Sequence, residues 1–183
     1  MQLSQAAIIT ASIEILDEYG LADMTMRRLA THLGVAPGAL YWHFENKQAL
    51  IAAAARHLVS ELLARPRVED SNDEFVQRCA DLRATMWSHR DGGELVSAAM
   101  TNDKLRGELV AFLSAGFRPQ TPTEIAETAA ETALHFLLGS TVIAQTQAQL
   151  AAASGSSQGP EHTATKFFQG IQLIISGVTR ETD

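Results

Sequence analysis

Apolar residues recur along this chain at intervals of three and four rather than two, the period of a helical face. Alternating Val, Ile and Thr runs bounded by turn residues are missing, so the pattern predicts an all-α fold. A first helix opens after Ser4 as N-cap, buries Ile8, Ala11, Ile15, Leu16 and Tyr19, and stops at Gly20, which tolerates the left-handed C′ conformation. A second runs from Thr25 to Gly34. Asn46 caps a long helix through Leu63, whose end Pro66 enforces because proline has no amide hydrogen to donate. Two later starts have capping-box spacing: Ser71-Asn72-Asp73-Glu74, and Thr121-Pro122-Thr123-Glu124 with proline at the first helical position. Gly116 and Pro119 close the helix before the second of these. Residues 151–160, AAASGSSQGP, read as a Ser/Gly-rich loop before one last helix, and without an internal repeat the C-terminal part is a single bundle.

The segment MTMRRLATHLGVAPGALYWHFENKQAL, residues 24–50, stands out from this regular background. A short helix ends at Gly34 and Pro37 opens another within three residues, which is the spacing of a helix-turn-helix. So tight a turn holds its two helices at a large angle. The second can then project into a major groove while the first spans the DNA backbone. Leu29, Ala30, Leu33, Val35 and Leu40 are the residues that would pack the pair.

A net charge of -7 looks unsuited to a nucleic-acid partner, since phosphate contacts supply most sequence-independent affinity. Distribution changes that picture. Between residues 24 and 60, Arg27, Arg28, Lys47 and Arg56 face Glu45 alone, whereas acid gathers at Glu69, Asp70, Asp73 and Glu74. A basic reading module on an acidic body accounts for the asymmetry. With 46% hydrophobic and 19% charged residues the chain can build a core without staples, and Cys79, its only cysteine, reads as part of that core. No apolar run approaches the roughly 18 residues that span a bilayer, and the opening MQLSQAAIITAS has neither a basic n-region nor a cleavage site. A cytoplasmic protein without a membrane partner is expected.

Leu40-Tyr41-Trp42-His43-Phe44, followed by Asn46-Lys47 and Ala49-Leu50, resembles the signature of the tetracycline repressor (TetR) family. The similarity continues through SHRDG at 88–92, LVAFLSAGF at 109–117, HFLLG at 135–139 and FFQGIQLIISG at 167–177, which resemble the regulatory domain of the tetracycline repressors. The resemblance implies that Thr25 and Arg27, with Tyr41, Trp42, His43 and Lys47, approach DNA. Chemistry agrees: Arg and Lys bind phosphates or guanine edges, Tyr and His donate to phosphates, and small Gly38 and Ala39 permit close approach or contact with a thymine methyl. Pro37, Gly38 and Ala39 replace larger polar or β-branched residues of the family pattern, so the operator should differ. Leu40 and Phe44 read as core; Trp42 is left open between packing beneath the motif and facing outward. The division implied is 1–46 for DNA binding, 47–66 as a connecting helix and 67–183 for ligand binding and dimerisation.

Within the bundle, Met86, Trp87, Met100, Phe112, His135 and Phe136 are candidates for lining an effector pocket; any one of them more readily reads as core filling volume, while the set suggests an apolar effector. Placing the shared landmarks on the tetracycline repressors puts Leu63, Arg78, Leu82, Val96, Ala99 and Glu108 where polar drug and metal ligands should stand, and Ile143 near a further carboxylate. Mg²⁺ needs oxygen-rich octahedral coordination, which Val96 and Ile143 cannot give. The effector expected is therefore a mostly apolar small molecule, with no metal and no cofactor. A stripe of Phe167, Ile171, Ile174 and Val178, widened by Phe168 and Ile175, together with Ile125, Ala129, Thr132, Phe136 and Ile143 on the preceding helix, predicts a homodimer through a four-helix interface. A repressor on a palindromic operator is the expected function; an activator, or a regulator with no effector, is left open. Ser88, His89 and Asp91 place three catalytic residue types together, but consecutive helical positions point about 100° apart and cannot form a nucleophile and base pair. The histidines lack metal-ligand spacing and GSSQG follows no strand, so an enzyme is not expected.

Overall fold

A computed structural model describes residues 3–66, 73–155 and 161–182, and these are all-α. Ser4, Thr25 and Asn46 each turn a side-chain oxygen onto the third amide ahead and so start α1 (Gln5–Tyr19), α2 (Met26–Leu33) and α4 (Lys47–Leu58). Between α2 and α4 lies α3 (Pro37–Tyr41), with proline at its first turn, where a missing amide hydrogen costs nothing. Gly34 takes a left-handed conformation (φ 67°, ψ 32°), and Val35 N donates back to the Ala30 carbonyl at 2.9 Å. This closes α2 and aims the chain into α3. Leu29, Ala30 and Leu40 are buried between the two helices, with Leu33 and Val35 half-buried against them.

The remaining helices are α5 (Ser60–Leu63), α6 (Asp73–Trp87), α7 (Gly92–Ala98), α8 (Asp103–Ser114), α9 (Thr123–Ser154) and α10 (Glu161–Thr182). The long α9 is the spine: α6, α7, α8 and α10 all pack on it, burying Ala130, Ala133, Leu134 and Leu137. Cys79 is buried in α6, and the apolar surroundings push its thiol up to about 12. Among the described residues no helix is long and apolar enough to cross a membrane.

Four details differ from the sequence pattern. Tyr19 is 39% exposed, because the Arg28 guanidinium caps its ring at 3.8 Å and holds it at the surface. The helix expected to run unbroken to Leu63 is interrupted at buried Val59 (φ -95°, ψ 3°) and resumes as α5. Thr121 does not cap α9: Pro122 is the boundary residue, and it offers no side-chain cap. Residues 151–154 belong to α9, which ends only where Gly155 turns left-handed; the rest of the expected loop, and Ser71 and Asn72 of the other capping box, lie outside the described residues.

Polar clamps hold the N-terminal helices on the bundle. Between α6 and α7, the His89 ring meets the Asp17 carboxylate at 3.0 Å, Arg90 Nη1 donates to the Glu18 carbonyl at 3.1 Å, and Asp91 Oδ2 accepts from the Leu21 amide at 2.9 Å. Beneath them Gln145, buried on α9, donates to the Met86 and His89 carbonyls and accepts from Gly93 N. Further along α4, Gln48 donates to the Ala98 carbonyl at 2.6 Å and Arg56 makes a two-pronged pair with Glu108 at 2.9 and 3.2 Å.

Candidate nucleic-acid interface

The turn from α2 through α3 to α4 carries a compact outward face. Leu40 and Phe44 anchor it by burial, which leaves Tyr41 and Trp42 facing outward. Trp42 is 90% exposed and Tyr41 53% exposed, which settles the open position of Trp42. Leaving two aromatic bodies in water forgoes roughly 25 cal/mol for each Å² that could be covered. Such a pairing at the tip of one motif makes this face a candidate contact surface.

Around these rings stand the other expected residues. Pro37 and Gly38 are exposed at the start of α3, Ala39 is half-buried, and His43 is half-buried with its carbonyl held by Gln5 of α1 at 3.2 Å. Lys47 opens α4 beside the Asn46 cap. Across the turn, Arg27 is exposed on α2, whereas neighbouring Arg28 is engaged by Asp23 and the Tyr19 ring. That difference makes Arg27 the guanidinium of the pair available to a partner. The Thr25 hydroxyl oxygen accepts from Arg28 N at 3.1 Å, which leaves its proton for an external acceptor. These nine residues all lie in or beside the α2–α3–α4 turn, at least partly exposed, and on the neighbouring helices Glu14 is paired with His32.

The expected pocket residues do not converge in this way. Leu82, Met86 and Val96 are fully buried in the common core, and Phe112 is buried against Arg78. Leu63 and Phe112 reach a cleft that also holds Arg78 and Glu108, while Trp87 lines a separate groove with Phe167 and Phe168. Met100 is half-buried beyond α7. His135 and Ile143 face away from the core on α9, Ile143 being 59% exposed, so neither lines an interior cavity within the single chain. Arg78 is spoken for: Glu74, the Phe112 carbonyl and the Pro66 carbonyl accept its three donor nitrogens at 2.8 to 3.0 Å. Among the described residues no group of three or more His, Cys, Asp or Glu could hold a metal ion.

Sequence reasoning missed the residues that position this face: Gln5, Asp17, Gln48, Gln145 and the His89-Arg90-Asp91 turn. Only SHRDG carried a signal, through resemblance. Ser88, rejected as a nucleophile, turns its hydroxyl to the Thr85 carbonyl at 2.8 Å, and His89 and Asp91 point to α1 and the turn after it.

A family model described as bacterial regulatory proteins, tetR family, matches residues 8–54, the stretch that contains this face. The chain is 33% identical over 123 residues to the class C tetracycline repressor protein of Escherichia coli, covering 63% of this chain and 56% of that one. It is 32% identical over 146 residues to the class G repressor of Vibrio anguillarum, covering 76% and 68%. The match to the first of these thus spans little more than half its length. A crystal structure of BioQ with its natural double-stranded DNA operator superposes with a TM-score of 0.80 at 35% identity, covering 97% of this chain and 98% of that one.

Proposed function

Because this chain belongs to the tetR family of bacterial regulatory proteins and is a DNA-binding transcriptional regulator, we propose that it is a repressor of a palindromic operator, released by a small and mostly apolar effector. The observation that carries the reading is the outward pair Tyr41 and Trp42 on a full-length likeness to a protein solved on operator DNA. Residues 1–46 supply the reading head, 47–66 the connection and 67–183 the regulatory part. Val96 on α7 and Ile143 on α9 offer no oxygen to a hydrated Mg²⁺, which argues against a magnesium-chelated tetracycline as effector.

Repression by a palindrome needs two copies, and α9 with α10 offers the surface. Ile125, Ala129, Leu173, Ile174 and Val178 form a groove of about 460 Å³ between them. Phe167 and Ile171 are buried against the chain itself, which seats α10 on α9 and leaves Leu173 and Phe168 outward. Light scattering at micromolar concentration should give a dimer, and Leu173→Asp should shift it toward monomer; a wild-type monomer overturns this assembly.

Operator binding tests the head directly. Arg27→Ala and Lys47→Ala should each weaken binding and lower the slope of log K against log salt by roughly 0.9 for every phosphate that is no longer neutralised. Fluorescence anisotropy across a salt series measures this, and an unchanged slope in both variants removes the two residues from the interface.

A further inference from the structure

Between α6 and α10 lies a groove whose cation has no counter-charge among the described residues. Ala80, Arg83, Ala84, Trp87 and, just past the helix end, Ser88 line it from one face of α6, with Ala80 and Ala84, Arg83 and Trp87, and Ala84 and Ser88 each one turn apart, and Phe167 and Phe168 line it from α10. The two alanines leave its floor open, giving a volume of about 390 Å³, within the range of small-molecule sites. The Arg83 guanidinium stands between two rings, 5.2 Å from the centroid of Trp87 and 5.1 Å from that of Phe167. Phe168 meets Phe167 edge-on at 5.3 Å and extends the aromatic wall outward.

Ring faces attract the charge but do not satisfy its N–H groups. Buried Nε of Arg83 has no hydrogen-bond partner among the described residues. Ion pairs among the described residues engage Arg28, Arg56, Arg65, Arg78 and Arg106, not Arg83. Arg78, five residues earlier on the same helix, shows the contrast, with a carboxylate and two carbonyls in place. Among the described residues no acid lines the groove. Partial burial accordingly pushes the Arg83 pKa below its ordinary value.

We propose that this groove binds an organic monocarboxylate, its carboxylate paired with Arg83 and its aromatic or alkyl body against Trp87, Phe167 and Phe168. A guanidinium fork matches the planar carboxylate with two parallel hydrogen bonds, and the aromatic walls exclude the water that would compete for them. An uncharged molecule of the same shape leaves the half-buried guanidinium without its charged partner and binds more weakly. The site is separate from the cleft of Leu63 and Phe112, and it depends on this chain's geometry rather than on the DNA-binding reading.

Trp87 reports on it. The chain has two tryptophans, so Trp42→Phe leaves Trp87 as the sole tryptophan, whose emission is excited selectively over that of the two tyrosines. Titration of that full-length protein with sodium benzoate and sodium octanoate should change the emission saturably, with benzamide at least tenfold weaker than benzoate. Arg83→Met should weaken benzoate at least tenfold, while Arg83→Lys, which keeps the charge without the fork, should fall between the two. Circular dichroism and urea midpoints accompany each variant, and if Arg83→Met does not fold the Arg83→Lys and benzamide comparisons decide. Equal binding of benzoate and benzamide, unchanged affinity in a folded Arg83 variant, or no saturable response to either carboxylate overturns the proposal. The titration contains no DNA, so its failure is distinct from failure of the regulatory reading.

Discussion

Alanine at Gly92 is expected to lower the stability of the folded chain by about 3 kcal/mol, the upper end of what one buried excess methyl costs. Gly92 is buried at the start of α7, directly after the turn that receives α1. A Cβ on it overlaps the Met86 carbonyl oxygen, with the Met86 carbonyl carbon at 3.0 Å and its Cα at 3.2 Å. Those atoms are backbone and cannot rotate aside. The same carbonyl accepts from Gln145 Nε2 at 3.1 Å, so displacing it strains a buried hydrogen bond as well. Urea unfolding should show the midpoint falling with an unchanged slope, the mark of lost stability rather than of an altered unfolded chain. Gly107→Ala is the control: nothing lies within 4 Å of its Cβ in mid-α8, and it should stabilise by about 0.5 to 1 kcal/mol. A Gly92→Ala midpoint equal to wild type would mean that the turn relaxes freely.

What the sequence showed and what it hid divide along the range of the interactions. Caps at Ser4, Thr25 and Asn46 act within three residues and were legible at once, as was the turn at Gly34 and Pro37. The recognition face followed because buried Leu40 and Phe44 leave Tyr41 and Trp42 no inward direction. Tyr19 was misplaced because periodicity reports an apolar body and not the guanidinium of Arg28 that covers it. Residues 151–154 were misread because Ser and Gly further on outweighed three alanines, the strongest helix formers. The pocket candidates scattered because aromatic and Met residues at helical spacing say nothing about which neighbour their helix faces. The partners of SHRDG were illegible for the same reason at longer range. Leu21, the partner of Asp91, lies 70 residues away, and Asp17, the partner of His89, lies 72 away.

That turn carries the other large effect: Asp91→Ala should cost about 3 kcal/mol, Asp91→Gly about 2 and Asp91→Asn about 1, with operator affinity falling in the same order. Asp91 is the one non-glycine among the described residues with positive φ (54°), a conformation that Asp tolerates and that costs Ala roughly 1 kcal/mol to enter. Its carboxylate also accepts from the Leu21 amide at 2.9 Å and from Gln149 Nε2 at 2.6 Å. Leu21 is buried, so either truncation orphans its amide, a loss of about 2 kcal/mol. Glycine removes the strain and keeps only this loss. Asparagine keeps an oxygen for Leu21 N, and the exposed Gln149 can turn its own amide to meet the new NH₂. Equal costs for Ala and Gly would show that the left-handed backbone is not strained. The reach to DNA follows from position: Leu21 opens the short turn between α1 and α2, and α2 carries Arg27. Releasing that turn from the bundle frees the head to tilt, and in a dimer a tilt changes the distance between the two recognition helices that a palindrome fixes at about one helical turn. Anisotropy with operator DNA, beside urea unfolding of the same variants, separates the two consequences. If stability falls in the order given while affinity stays at the wild-type value, the Asp91 clamp holds the fold together but does not set the spacing of the heads.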